Sequence, residues 1–186
     1  MPSMIDSFYS CQELKQIGFS KIGENVQISR FARFYSPENI EIGNNVRIDD
    51  FCILSGHIKI GSFIHISAFN ALYGKNGIQM NDYSGLSARC TVYSATDDFS
   101  GNYMVGTMVK SEYRNIIGGR VLIDKFSQVG CNCVVLPSVT IHEGVAVGAM
   151  SLVLSDLESW GVYKGIPAKF LKKRSEKLLV YLTNEL

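Results

Sequence analysis

The side chains of this sequence that could carry acid–base chemistry are few and widely spaced. Two adjacent acids, Asp97 and Asp98, stand in the stretch ATDDFSGNYM, and the histidines are His57, His65 and His142. A carboxylate with an ordinary pKa of ~3.9 is a weak base toward an alcohol, whereas neutral imidazole at ~6.5 is a better one. A histidine oriented by an acid would therefore suit proton removal from a hydroxyl group.

His65 has the best surroundings of the three histidines for contact with a substrate. It lies in FIHISAFNALYG, one residue before an aliphatic repeat position, and Asn70 and Tyr73 follow it closely. An amide and an aromatic hydroxyl are groups that bind sugars by hydrogen bonding and stacking. His65 is thus a candidate base, with Asn70 and Tyr73 as candidate substrate contacts; the alternative is a surface or interface histidine.

The cysteines favour a structural role over metal or redox chemistry. Cys52, Cys90 and Cys133 all occupy the small inward position of the repeat described below, where cysteine behaves as a compact hydrophobe. The pair Cys131 and Cys133 lacks the CxxC spacing of a zinc site. No metal is therefore expected, and an odd number of cysteines in a long chain fits a reducing cytoplasm.

Composition excludes some classes of partner. The net charge is +1, so no global field attracts nucleic acid or an anionic membrane. No stretch combines the length and the apolar character of a spanning helix, and the first residues lack the pattern of a secretion signal. We expect neither nucleic-acid nor membrane binding, and a cytoplasmic location.

The elements that must position these side chains come from a six-residue repeat. Small or β-branched residues follow each aliphatic by four positions, and Gly, Asp or Ser often follows directly, as at Gly43, Gly61 and Gly130. The aliphatic positions are Ile22, Ile28, Phe34; Ile42, Ile48, Leu54, Ile60, Ile66, Leu72; Met80, Leu86, Val92; and Ile117, Ile123, Val129, Val135, Ile141, Val147, Val153.

A period of six fits neither an α-helix nor a long strand. It fits a short strand followed by a corner, so that three strands form one triangular coil of eighteen residues. Both repeating positions should point into the lumen, and Gly or Asp at the corners should supply the backbone freedom of a tight turn.

The ends and one interruption depart from the repeat. Ser10 and Glu13 form a capping box for a short helix within residues 5–18. Pro167 suits a helix start, and 169–182 reads as a basic amphipathic helix. The predicted divisions are a cap (1–19), a β-helix (20–155) with a projecting loop (97–116), and a terminal loop and helix (156–186). The loop would wall a cleft or reach another subunit.

This pattern resembles the hexapeptide-repeat acyltransferases, which fold as left-handed parallel β-helices. The resemblance covers roughly residues 20–155, and the segment Gly165-Ile166-Pro167-Ala168-Lys169 matches the GxPA[KR] signature of galactoside and maltose acetyltransferases. It implies an all-β fold, acetyl-CoA as cosubstrate, and a homotrimer with each active site between two subunits.

The resemblance also implies positions for the coenzyme. Cys131, Ala149 and Ser151 would line the pantetheine channel, and Lys169 and Lys172 would lie near the phosphates. Cys131 stands where relatives commonly have Ser or Gly.

In those sugar acetyltransferases the phrase that matches VYSATDD carries the catalytic histidine. Asp97 stands there instead, so the usual base is missing. His65 of one subunit, supported by Asp97 or Asp98 of its neighbour, is the predicted replacement.

The resemblance predicts transfer of acetyl from acetyl-CoA to a hydroxyl of a sugar. One alternative is N-acetylation of an amino sugar, including one linked to a nucleotide and used in surface-polysaccharide assembly, because a neutral amine needs less help from a base. The alternative of another class is a non-catalytic β-helical scaffold, against which the GIPAK segment argues.

Overall fold

The computed structural model describes residues 7–184. Within them lie helix α1 (Cys11–Ile17) and 3-10 helices at Pro37–Asn39, Ser111–Tyr113 and Lys177–Asn184. The strands are β1 (Lys21–Ile22), β2 (Gln27–Ile28), β3 (Arg33–Tyr35), β4 (Ile40–Ile42), β5 (Val46–Ile48), β6 (Ile53–Ile60), β7 (Ile64–Ile66), β8 (Ala71–Met80), β9 (Gly85–Leu86), β10 (Thr91–Tyr93), β11 (Ala95–Asp97), β12 (Ile116–Gly118), β13 (Val121–Ile123), β14 (Gln128–Val129), β15 (Val134–Val135), β16 (Thr140–Ile141), β17 (Ala146–Val147), β18 (Leu152–Val153), β19 (Gly161–Lys164) and β20 (Lys169–Lys173).

The strands stack into three parallel faces, as the repeat predicts. Face I contains β2, β5, β7, β9, β14, β17 and β19. Face II contains β3, the first halves of β6 and β8, then β10, β15 and β18; face III contains β1, β4, the second halves of β6 and β8, then β13 and β16. Leu54 pairs with Leu72, eighteen residues on, so one coil has the predicted length. The prediction of a parallel β-helix is confirmed.

The lumen holds the aliphatic side chains of the repeat. Ile123, Val135 and Ile141 are fully buried, and Val129 and Val147 nearly so. The prediction that Ile117 points into the lumen is wrong. Ile117 lies in β12, which pairs with β11 outside the coils, and it is 47% exposed. The six-residue phase therefore predicts burial only where a coil continues.

Glycine is required at these corners for a different reason from the one expected. Gly43, Gly61 and Gly130 do not adopt a positive φ. A Cβ on Gly43 would lie 2.5 Å from the carbonyl oxygen of Gly61 in the next coil. These glycines are thus required by the close approach of successive coils, and the expectation that they supply turn freedom is wrong.

Several left-handed corner positions are occupied by large aromatic residues instead. Phe63, Tyr83, Phe126 and Trp160 all have φ between 55° and 60° and stack in one column along the corner between faces III and I. Gly144 lies between the last two, and a Cβ there would come within 2.3 Å of the Trp160 ring. Stacking along the column offsets part of the cost of the strained backbone.

The N-terminal helix α1 caps the first coil. The capping box between Ser10 and Glu13 is present as predicted, and Leu14 is buried against the core. Arg30 donates to both carboxylate oxygens of Glu13, at 2.7 and 2.8 Å. These hydrogen bonds, together with those from Ser10, lower the pKa of Glu13 to about 2.

The α-helix predicted over 169–182 does not form: the range begins as a strand, and only Lys177–Asn184 is helical, as a 3-10 helix. The stretch from Lys169 to Lys173 forms β20, which pairs antiparallel with β19 and closes the edge of face I. Without β20, the edge strand β19 would have backbone groups without hydrogen-bond partners, and the hairpin satisfies them. The lysines of β20 then discourage pairing of the new edge with another chain. Arg174 then anchors the chain end by donating to the carbonyl oxygens of Phe126 and Gly144. Within 7–184 no helix has the length and apolar character needed to cross a membrane.

Candidate functional site

A projecting loop replaces the repeat between faces II and III. Strands β11 and β12 form its antiparallel stem, with Asp97 opposite Ile116. Arg114 donates from Nη2 and Nε to Oδ1 of Asp97, at 2.8 and 3.3 Å. Both side chains are mostly buried: 14% of the Arg114 side chain and 19% of the Asp97 side chain are exposed. The pair fixes the Asp97 carboxylate at the root of the loop, and no group in the described part of the chain donates to Oδ2.

The Asp98 carboxylate, unlike that of Asp97, accepts hydrogen bonds that close the loop. It accepts from the backbone N–H of Ser100 at 2.8 Å and from Nδ2 of Asn115 at 2.9 Å. Hydrogen bonding from the Ser100 side chain, then from the Ser100 backbone and from Asn115, lowers the pKa of Asp98. Both of its oxygens are used to close the loop, so Asp97 is the acid better placed to meet a substrate.

A cavity of about 240 Å³ lies beside Asp97, and we call it the loop pocket. Tyr73, Lys75, Thr96 and Arg114 line it with the carboxylate. One ring face of Tyr73 stacks on Tyr93 at 5.2 Å. The pocket thus presents an acid, two cations and an aromatic ring, which suits a polar substrate bearing both amine and anionic groups.

His65 is oriented by an acid that the sequence analysis did not single out. Its Nε2 lies 2.7 Å from Oδ2 of Asp49, and Nε of Arg47 donates to Oδ1 of the same carboxylate at 2.7 Å. A coil of eighteen residues places Arg47 and His65 in one outward column, and this spacing could have revealed the cluster. The imidazole side chain is 53% exposed.

His65 and the two loop acids do not meet within one protomer. His65 projects from face I, whereas Asp97 and Asp98 lie at the corner between faces II and III. In a triangular coil that corner is opposite face I. The three predicted catalytic residues can therefore share a site only if a second copy contributes one side of it.

Two predicted contacts are contradicted by burial. Asn70 is fully buried, donates to the carbonyl oxygens of Ser67 and Ser87, and accepts from the N–H of Cys90. It is a structural amide that bridges coils, not a substrate contact. Ser151 is 2% exposed and likewise structural.

Ser151 nevertheless positions the predicted coenzyme loop. Its hydroxyl donates to the carbonyl oxygen of Gly148 at 2.7 Å and accepts from the N–H of Gly165 at 3.0 Å. Cys131 is half-buried, and Ala149, Lys169 and Lys172 are exposed. These four remain predicted contacts of the coenzyme.

The other thiols and histidines have no catalytic arrangement. Burial raises the pKa of the Cys52 thiol to about 11. A hydrogen bond with Cys133, together with burial, holds the pKa of Cys90 well above its usual range. No group of three or more potential metal ligands occurs among the described residues. His142 lies at a corner, while His57 lines a second cavity beside the loop pocket.

Comparison with known proteins extends over nearly the whole chain. This chain is 49% identical to a dTDP-4-amino-4,6-dideoxy-D-glucose acyltransferase of Escherichia coli, over 90% of this chain and 88% of that enzyme. The structure of AntD, an N-acyltransferase from Bacillus cereus in complex with dTDP and 3-hydroxybutyryl-CoA, matches with a TM-score of 0.92 and 50% identity, covering 96% of this chain and 95% of AntD.

A serine variant of AntD was also solved with dTDP-4-amino-4,6-dideoxyglucose and coenzyme A, and it matches with a TM-score of 0.93 and 50% identity over 96% of both chains. A hexapeptide-repeat acetyltransferase from Vibrio cholerae shares the fold at 17% identity and a TM-score of 0.62, over 89% of this chain and 80% of that one. No family model matches the chain.

Proposed function

Because this chain belongs to the hexapeptide-repeat, acyl-CoA-dependent sugar acyltransferases, we propose that it acylates the amine of a nucleotide-linked amino sugar. The observation that carries the proposal is the 49–50% identity, over nine-tenths or more of the chain, to enzymes named or crystallised with dTDP-4-amino-4,6-dideoxyglucose. It favours N-acylation, which was the alternative from sequence, over transfer to a hydroxyl group.

The loop pocket supports an amine acceptor. Asp97 lines the loop pocket; Arg114 donates to its Oδ1, whereas Oδ2 accepts no hydrogen bond from any group within residues 7–184. A carboxylate oxygen in this state accepts an N–H of the amine and directs the nitrogen lone pair away from itself, toward the thioester. Arg114 fixes the carboxylate through two hydrogen bonds to Oδ1, and holding both reactants in line lowers the entropic part of the barrier.

The proposed reaction needs neither a metal nor a covalent enzyme intermediate. The amine nitrogen attacks the thioester carbonyl carbon, a C–N bond forms and the C–S bond breaks. Coenzyme A leaves as the thiolate, and one proton passes from nitrogen to a base and finally to sulfur. The products are an amide and free coenzyme A. The acyl group is acetyl or a short relative such as 3-hydroxybutyryl.

We propose that His65 of a second copy takes part in this proton transfer. Asp49 orients its ring at 2.7 Å, and the exposed imidazole is free to reach outward. Because His65 and Asp97 lie on opposite sides of one protomer, the arrangement requires an oligomer, for which a homotrimer is the expected form.

A thiol-release assay with a panel of acceptors tests the function. With acetyl-CoA or 3-hydroxybutyryl-CoA, dTDP-4-amino-4,6-dideoxyglucose should release coenzyme A at least a hundredfold faster than dTDP-glucose, which lacks the amine. Equal rates with both, or activity only on free sugars, would show that the acceptor is not a nucleotide-linked amino sugar.

A further inference from the structure

A second cavity adjoins the loop pocket along face II, on the side of the earlier coils. We call it the corner pocket; its volume is about 400 Å³, within the range of ligand sites, and Ser36, Asn39, Ser55 and His57 line it. Tyr73 and Lys75 line both cavities. The two therefore form one groove, with Lys75 at the junction.

The charge of the corner pocket suits an anion. Lys75 and His57 are exposed, and neither forms an ion pair with any residue in the described part of the chain. No aspartate or glutamate lines the pocket. In the loop pocket, by contrast, Asp97 provides a negative charge. The only carboxylate among the described residues that line the groove thus lies at the loop, paired with Arg114, and the junction and the corner pocket carry cationic or neutral side chains.

The aromatic column of face II has a gap at the corner pocket. In register, its outward positions are Tyr35, Ser55, Tyr73 and Tyr93. Tyr73 and Tyr93 stack with their planes 16° apart, but because Ser55 follows on the other side, no aromatic ring among residues 7–184 stacks on the opposite face of Tyr73. Coils are spaced by ~4.8 Å, so one missing ring leaves space for one flat base.

We propose that the corner pocket binds the nucleoside diphosphate part of the acceptor. The base stacks on Tyr73 above Ser55, the diphosphate contacts Lys75 and His57, and the sugar extends into the loop pocket with its amine at Asp97. The inference rests on the proposed function, and it deepens it by assigning the nucleotide subsite.

The order of groups in the groove matches the order in the molecule. In a nucleotide sugar the diphosphate connects the nucleoside to the sugar, and Lys75 connects the two pockets in the same way. The predicted coenzyme contacts, Cys131 and Ala149, belong to later coils. The two substrates would then approach the loop from opposite ends of the β-helix.

Calorimetric titration with dTDP tests the subsite. Ser55→Phe fills the gap and should stack between its neighbours, as Phe51 and Phe69 already do at 4.9 Å in another column. It should weaken dTDP binding about ten- to a hundredfold, because the base loses its place on Tyr73. Its melting temperature and coenzyme A affinity should match those of the wild type.

A second variant tests the charge without changing the shape. Lys75→Gln should weaken dTDP binding about tenfold and reduce its dependence on salt, because a cation that meets the diphosphate is removed. Lys125→Gln is the matched control, since Lys125 is also an exposed lysine but lies at a different corner. It should bind dTDP as the wild type does.

The possible outcomes separate the subsite from the function. If the wild type binds dTDP and both Ser55→Phe and Lys75→Gln bind it equally well, the subsite is elsewhere and the proposed function survives. If the wild type does not bind dTDP at millimolar concentration, the nucleotide-linked acceptor is excluded and the subsite with it. Weakened binding by both variants, with a normal control, establishes the assignment.

Discussion

Replacing Asp97 by asparagine removes the negative charge that the proposed mechanism places beside the amine. Asparagine is nearly the same size, and its amide oxygen can still accept from Arg114, which now donates to Oδ1 at 2.8 Å. The change therefore acts mainly on Oδ2, the oxygen to which Arg114 does not donate. It tests the chemistry of the site with little change in its shape.

The structure allows the size of the effect to be worked out. A hydrogen bond to a charged partner is worth ~1.5–3 kcal/mol. At ~1.4 kcal/mol for each tenfold change, kcat/KM for the amino sugar should fall ~10- to 150-fold in Asp97→Asn. Asp97 and Arg114 are partly buried, but Arg114 keeps one acceptor, so the melting temperature should fall by no more than ~3 °C.

Steady-state thiol release and thermal melting provide the two measurements. Asp98→Asn is the matched control, because that carboxylate is used by Ser100 and Asn115 to close the loop. It should change kcat/KM by less than ~5-fold. If Asp97→Asn keeps more than half of the wild-type kcat/KM while Asp98→Asn does not, the amine is not positioned by Asp97.

Four further changes test other parts of the account. His65→Ala should lower kcat about a hundredfold or more at an unchanged melting temperature, and retention of a third of the wild-type rate would exclude it as the base. Replacing Lys169 and Lys172 by alanine should reduce the melting-temperature rise caused by acyl-CoA, most strongly at low salt; an unchanged rise would place the coenzyme elsewhere. Glu13 has a pKa lowered to about 2, so its contribution to folding is complete above pH 4.5 and lost as the pH falls toward 2, whereas Glu13→Gln should show no such loss in acid melting curves. Gly144→Ala should destabilise the fold by ~2–4 kcal/mol in denaturant titration, because its Cβ would meet the Trp160 ring; a loss under 1 kcal/mol would contradict the packing described.

The core could be read from the sequence because one rule governs it. Each coil repeats the same three strands, so the phase of Ile123, Val129 and Val135 assigns them to the lumen. The rule fails where the coil stops. Ile117 keeps the phase yet lies outside, because it belongs to the stem of the loop.

The structures of the chain end and of the site depend on contacts between residues distant in sequence, which no local sequence pattern predicts. The stretch after Pro167 has good helical amphipathicity, but the free edge of β19 offers it hydrogen bonds, and it becomes β20. Asp97 meets Arg114 across a long loop, and the spacing of seventeen residues has no regular meaning in the repeat. Asn70 looked like a substrate contact beside His65, but the small inward position places its amide among backbone groups.

The groups that the repeat does bring together were identifiable in principle. Arg47 and His65 differ by one coil, and Ser55 and Tyr73 do as well. Writing the sequence in rows of eighteen residues would have shown both columns on the outer surface. Asp49 pairs with His65 at an offset of sixteen residues, so its identification required the corner geometry.

The identity of the bond formed is the most direct test of the central claim. The enzyme should be incubated with acetyl-CoA and dTDP-4-amino-4,6-dideoxyglucose, and the product analysed by mass spectrometry before and after treatment with hydroxylamine, which cleaves esters. The account predicts a single acetyl addition that survives hydroxylamine, because the product is an amide at the sugar nitrogen. An acetyl group that hydroxylamine removes, or a product formed equally from dTDP-glucose, would contradict it.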